Sequence, residues 1–318
     1  MKLVYILGTG GTISASGDGG NTTNYLDGKF GVDDLVAGID GIDKLADIKY
    51  EQVLNVLSDD ITEDDWRYLA GRIDELAGSD EIAGFVITHG TNTMEETAFF
   101  LSLTLHTDKP VVLTGAMRPA TANSADGSQN LYEAVALAVA EEARGFGVMI
   151  VFADGIYSGA LASKISSFRP DAFGHRDFGC IGYMQDNRAI LVQKPCRTHQ
   201  PFDFDELPKV GIVYSHIGAD PGILDWFAQT HDGLVIAGTG AGCFNEEWKQ
   251  KLAQVTQKIP VVRSTRTGSG IVSFNHFDEE AGTIPADIHA PSKARILLAL
   301  ALTKTKDKNE ISEMFRKV

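Results

Sequence analysis

The sequence predicts an α/β protein, with a larger N-terminal domain built on a mostly parallel sheet and a smaller C-terminal α/β domain. Three observations carry this. Strand-length apolar runs alternate with helically spaced segments through residues 1–190, the rhythm breaks across 191–208, and it restarts over 209–318. "LVYILGTGGT" is a buried strand ending in glycines. "ITEDDWRYLAGRIDELA" sets Ile61, Trp66, Leu69, Ile73 and Leu76 on one helical face, and Thr62 with Asp65 resembles a capping box. "GFVITHG" is the next strand and "TMEETAFFLSLTL" the next helix, which Thr93 and Glu96 are expected to cap reciprocally. "PVVLTGA", "SADGSQNLYEAVALAVAEEA" and "GVMIVFADG" continue as strand, helix and strand. Residues 191–208 carry prolines and mixed charge and are read as a linker. Beyond it, "KVGIVYSHIG", "GLVIAGTGAG" and "PVVRSTRTGSG" are strands, "DPGILDWFAQTH" and "NEEWKQKLAQVTQ" helices, and "PSKARILLALALTKT" a closing helix.

Composition narrows the function. The chain has 318 residues, 43% hydrophobic and 22% charged, enough apolar material for two cores and unlike a disordered composition. A net charge of −15 argues against a general nucleic-acid or anionic-membrane binder, because phosphates would be repelled. Cys180, Cys196 and Cys243 form no CxxC pair and are expected to be free thiols; the scattered histidines form no HExxH face, so no metal is expected. No apolar run approaches the ~20 residues of a membrane helix. The first strand follows Met1-Lys2 at once, leaving no room for a signal peptide. The expected compartment is the cytoplasm; a chain starting at a processed end would be periplasmic or secreted.

In parallel sheets, ligands bind beyond the carboxyl ends of the strands. Chemistry is therefore sought at Gly8–Thr12, Ser58–Asp60, Thr88–Thr93, Thr114–Arg118 and Asp154–Lys164. "GTGGTI" lacks the third dinucleotide-binding glycine, Ile13 standing in its place, and no lysine makes it a phosphate loop. What it offers is a tight turn that lets backbone approach a small ligand and presents Thr12 at its end, which could also be a simple cap. The following stretch, "ISASGDGGNTTNYLDGKFG", suits either a surface loop or a lid that carries Tyr25 onto a substrate. In "THGTNT", Thr93 has a capping role, whereas Thr91 has none and would be a nucleophile if a base stood near. His89 reads as a structural strand-end histidine. Lys164, in "GALASKISSF", is either solvated or a desolvated amine able to accept a proton.

These segments resemble the bacterial-type L-asparaginases, threonine amidohydrolases that include glutaminase-asparaginases. The resemblance rests on "TGGTIS", "GFVITHGTNTMEETAFFL", "KPVVLTGAMRPATANSADGSQNLYEAV", "LPKVGIVY" and "KARILLALALTKTKD", in order along nearly the whole chain. It implies cofactor-free hydrolysis of the asparagine side-chain amide through a covalent acyl-enzyme. Thr12 takes the place of the usual nucleophile, assisted by Tyr25, and Thr91 lies opposite, linked to Lys164. Ser58 helps hold the α-carboxylate, with Gly11, Asp59 and Asn92 as further substrate-binding candidates. The order of attack between Thr12 and Thr91 stays open. The implied partners are an amino-acid amide and further copies of the chain, in a homotetramer built as a dimer of intimate dimers that share active sites, with no nucleic acid and no membrane.

One position departs from the family signature: "HGTDT" becomes "HGTNT". The family's aspartate binds the substrate α-ammonium, and Asn92 keeps the shape without the charge. Losing a charge-assisted hydrogen bond costs on the order of 1–3 kcal/mol, roughly ten- to a hundredfold in catalytic efficiency. Asn92 is either an engineered substitution or a natural mark of a slow enzyme, of one with another amide substrate such as glutamine, or of a former enzyme that only binds amino acids. Asp59, where the family often has glutamine, is expected to supply the missing carboxylate. Ala241 and Cys243 occupy polar family positions, and Asn275 or His276 stands nearest to an expected acidic residue.

Overall fold

The computed structural model describes residues 1–17, 20–22, 30–175, 177–195 and 200–318, together with the backbone of 25–26. The chain divides into two compact units, Met1–Cys196 and Arg197–Val318.

The first unit contains strands β1 (Leu3–Gly10), β2 (Ser16–Gly17), β3 (Tyr25–Leu26), β4 (Asp47–Val56), β5 (Ile82–Thr88), β6 (Val111–Thr114), β7 (Val148–Phe152), β8 (Gly155–Ser158), β9 (Ser163–Lys164), β10 (Phe173–Gly174), β11 (Gly182–Gln185) and β12 (Arg188–Leu191). Its helices are α1 (Val32–Ala37), α2 (Glu63–Ala77), α3 (Met94–Thr104) and α4 (Gly127–Ala138). The main sheet runs β12-β11-β8-β7-β6-β5-β1-β4. From β4 to β7 neighbours are parallel, and β8, β11 and β12 continue the sheet antiparallel. The expected large, mostly parallel sheet is present. Two parts of it carry no strong sequence signal. β4 is an edge strand, "DIKYEQVLNV", with charges on an exposed face, and the antiparallel extension is made of four-residue strands.

Alternation along the strands sends Val4, Ile6, Val86, Val112, Met149 and Val151 into a core with α1 and α4, where Leu131 and Val135 meet them. The opposite face is covered by α2 and α3, where Trp66 stacks on Phe100 with ring centroids 5.0 Å apart. The Thr62–Asp65 capping box forms as expected. The Thr93–Glu96 box does not: Thr93 makes no side-chain cap and instead donates its hydroxyl to the Ser58 carbonyl at 2.7 Å.

The second unit holds a parallel sheet of β13 (Val210–Tyr214), β14 (Gly233–Gly238), β15 (Val261–Thr265) and β16 (Ile284–Pro285), in that order. α5 (Ile223–Thr230), α6 (Glu246–Val255) and α7 (His276–Ala281) precede α8 (Pro291–Leu302), which is buried almost all round. α8 does not close the chain: α9 (Lys308–Lys317) follows, its start capped by the Asp307 carboxylate. Among the described residues no helix is long and apolar enough to cross a membrane.

Candidate active site

The chain places β4 on one side of β1 and β5 on the other, so the loops leaving β1 and β5 part at a topological switch point. Glycines let these loops come close. Gly11 sits at φ 87°, and a Cβ there would lie 2.3 Å from the Gly90 Cα. A Cβ on Gly90 would lie 2.8 Å from the Ser58 side chain. The ends of β1, β4 and β5 therefore meet backbone against backbone.

A cavity of about 410 Å³ opens beyond this contact. Six residues expected from the sequence line it: Gly11, Thr12, Ser58, Thr91, Asn92 and Lys164. Thr12 begins a short 3-10 turn, Thr12–Ser14, pinned by the Ser14 hydroxyl on the Gly11 carbonyl at 2.7 Å. Ser58 opens a second such turn, Ser58–Asp60, and is 4% exposed. Thr91 is 5% exposed. Asp59 is not on the lining; its carboxylate stands behind Asn92. The Tyr25 side chain lies outside the described residues, as does Cys196.

Lys164 reaches the cavity from β9, which pairs antiparallel with β10. Its backbone N–H donates to Glu95 Oε2, on the first turn of α3, at 2.5 Å. Its Nζ lies 2.8 Å from Thr91 Oγ1 and 2.8 Å from Asn92 Oδ1. On the far side of the amide, Asn92 Nδ2 donates to Asp59 Oδ2 at 2.9 Å. A continuous chain thus runs Asp59–Asn92–Lys164–Thr91. Burial lowers the Lys164 pKa below the ordinary lysine value, opposed by the charges of Asp59 and Glu95. The threonine, the amine and the desolvation inferred separately from sequence meet at one point.

His89 has the structural role expected. It is fully buried, and its Nδ1 donates to the Gly90 carbonyl at 2.7 Å. That bond fixes the tautomer, so Nε2 accepts from Thr97 Oγ1 at 2.8 Å, and Thr97 Oγ1 accepts from Trp66 Nε1 at 2.9 Å. Burial pushes the imidazole pKa down to about 4, so the ring is neutral near pH 7. The network anchors the β5 loop to α2 and α3.

The remaining lining was not assigned a role from sequence: Thr22, Leu57, Gly90, Met117, Arg118, Ser167 and Phe168. Met117 and Arg118 belong to the turn after β6, one of the places where chemistry was sought. They are held there by Asp126, which accepts from both backbone N–H groups at 2.9 and 3.0 Å. Asn130 ties the same turn to the β7–β8 hairpin, donating to the Gly115 carbonyl and accepting from the Ala153 N–H. No residue-type signal marked Leu57 or Phe168, whose side chains are 43% and 73% exposed at the rim.

In the second unit, Arg263 and Asp278 form a buried bidentate ion pair at 2.6 and 2.7 Å. Arg263 also holds the Ala241 and Ser273 carbonyls, which ties down the loops around both residues. Asn275 caps α7 through the Phe277 N–H. Cys243 is exposed. Among the described residues no group of three or more His, Cys, Asp or Glu side chains could hold a metal ion.

The arrangement offers two hydroxyls, a desolvated amine and an amide carbonyl around one small cavity, the equipment for acyl transfer from an amide. Comparison with known proteins points the same way. Residues 3–197 match the family model "Asparaginase, N-terminal", and residues 209–315 match "Glutaminase/Asparaginase C-terminal domain". L-asparaginase 2 of Escherichia coli (strain K12) is 39% identical, covering 98% of this chain and 92% of its own. The glutaminase-asparaginase of Acinetobacter glutaminasificans is 39% identical, covering 98% of each. The crystal structure of a probable cytoplasmic L-asparaginase from Campylobacter jejuni superposes with a TM-score of 0.96 at 43% identity, covering all of both chains.

Proposed function

This chain belongs to the asparaginase family, and from that premise we propose that it hydrolyses L-asparagine to L-aspartate and ammonia through a threonine acyl-enzyme. The observation that carries the reading is the 2.8 Å contact between Lys164 Nζ and Thr91 Oγ1 in the cavity that also presents Thr12.

In this reading Thr12 Oγ attacks the side-chain amide carbon, assisted by Tyr25. Backbone N–H groups of the converging turns receive the oxyanion. The C–N bond breaks as ammonia leaves with a proton delivered through the Thr91–Lys164 pair. Water then cleaves the ester and restores the Thr12 hydroxyl. Ser58 and the Gly11 backbone take the α-carboxylate. Asn92 faces the α-ammonium, and Asp59, one hydrogen bond behind it, supplies negative charge. A second reading, in which Thr91 attacks first, is favoured by its direct contact with the amine. Further copies of the chain complete a homotetramer, a dimer of intimate dimers, and the cytoplasm is its compartment.

The test is ammonia release from L-asparagine and L-glutamine, by the parent and its Thr12→Ala, Thr91→Val and Lys164→Met variants. Loss of about 10²–10³ in kcat for each variant supports the assignment. Mass spectrometry of the trapped acyl-enzyme identifies which threonine carries the ester. Analytical ultracentrifugation reads the oligomer, and a monomer with full activity refutes the shared-site assembly.

A further inference from the structure

Asn92 holds its amide between two charged side chains that impose opposite demands. A carboxylate only accepts hydrogen bonds, so Asp59 requires the Nδ2 end, and its Oδ2 lies 2.9 Å away. Lys164 offers N–H groups, so it requires the Oδ1 end, also met, at 2.8 Å. A flipped amide would set oxygen against carboxylate and NH₂ against the amine. Both neighbours enforce this orientation, and once Lys164 is neutral, and able to accept as well as donate, Asp59 alone enforces it.

We propose that Asp59 is a positioning residue: it fixes the Asn92 amide with its oxygen toward Lys164, so that the amine serving Thr91 is held by a dipole and not by a carboxylate. This rests on the hydrolase reading above and gives position 59 a role in the proton step beyond attracting substrate. Both hydrogen-bonding partners of Nζ, Thr91 Oγ1 and Asn92 Oδ1, are neutral oxygens. The charged groups around it are Asp59, set back behind the amide, Glu95, whose Oε2 is bonded to the Lys164 backbone N–H, and Arg118 on the same cavity wall. Burial lowers the Lys164 pKa, and with no carboxylate bonded to Nζ among the described residues less opposes that loss of the proton. Neutral Nζ then accepts the Thr91 hydroxyl proton while Thr91 Oγ1 takes the proton released by the attacking Thr12 hydroxyl, and the Lys164 ammonium gives a proton to the leaving nitrogen, so that the Thr91 hydroxyl and the neutral amine are both restored.

The experiment measures kcat and KM for L-asparagine against pH in the full chain and in Asp59→Asn, Asp59→Glu and Asn92→Asp. The Lys164 Nζ signal is titrated by NMR in each. Asn92→Asp is expected to move the acid limb of kcat, and the Lys164 titration, upward by about one pH unit or more. Asp59→Asn is expected to lower kcat about tenfold, with Asp59→Glu recovering part of the loss. An acid limb and a lysine titration unmoved by Asn92→Asp would overturn the proposal. So would an Asp59→Asn variant that changes KM alone, which would leave Asp59 a substrate anchor only. If the parent hydrolyses neither asparagine nor glutamine, the hydrolase reading fails, while the lysine titration still decides whether the amide governs Lys164.

Discussion

Arg263 and Lys164 are both cations enclosed by protein, one in each unit, and they are handled in opposite ways. Arg263 is 1% exposed and meets Asp278 directly through two short hydrogen bonds, while its remaining donors hold the Ala241 and Ser273 carbonyls. Among the described residues, Lys164 Nζ is bonded to two oxygens without charge, and the Asp59 carboxylate stands one group further off. A contact ion pair locks the charge and, with it, two loops. A dipole contact satisfies the same donor while leaving the proton exchangeable. The difference separates a cation locked in place from one whose proton is left exchangeable.

The largest expected effect breaks the first half of this contrast. Asp278→Ala leaves Arg263 buried and unpaired and should cost about 3–5 kcal/mol of stability, read from urea unfolding of the parent and the variant. Lys164→Met, by contrast, should leave the urea midpoint of its own unit nearly unchanged while abolishing most activity. Equal destabilisation of both variants would erase the distinction.

His89 sharpens it, being, like Lys164, a group held by neutral partners. Its pKa is about 4 in the folded chain, against an ordinary value near 6.5, so the unfolded state binds the proton first. Nothing is lost above pH 6.5. Stability falls as pH drops from there and levels off below pH 4, a loss of about 3 kcal/mol, checked by unfolding free energies at pH 7 and pH 4.5 with the imidazole followed by NMR.

Glu133 is the reverse case. It is fully buried on α4 beside Asp154, and burial pushes its pKa up to about 7. Its folded value exceeds the unfolded one, so the native state keeps the proton longer, and stability is lost as pH rises from about 4.5 through 7. Glu133→Gln should therefore be more stable than the parent at pH 8 by about 1–3 kcal/mol, with the advantage vanishing near pH 5. The smallest effect belongs to Thr93→Val, which removes the hydroxyl donated to the Ser58 carbonyl and should cost about 1 kcal/mol in urea unfolding.

The sequence made the parallel strands and the residues at their carboxyl ends legible, because buried strands are continuous apolar runs and ligands gather where such strands stop. Thr12, Thr91 and Lys164 were singled out in this way, and Ser58 took its role from the family resemblance. β4 was missed because an edge strand has one face in water, so its charges hide the period. Thr93 was misjudged because a capping pattern states only what a hydroxyl can do locally. The Ser58 carbonyl, 35 residues away in sequence, competes for it and wins. The place of Asp59 behind Asn92 depends on two loops from different strands meeting, which no spacing within one chain segment encodes.

That meeting is made by Gly11 and Gly90, whose backbones touch with no room for a methyl group on either. A joint without clearance has no play. The two threonines mounted one residue beyond it, Thr12 and Thr91, therefore form a single part with a fixed gauge, and a displacement of one loop is passed undiminished to the other.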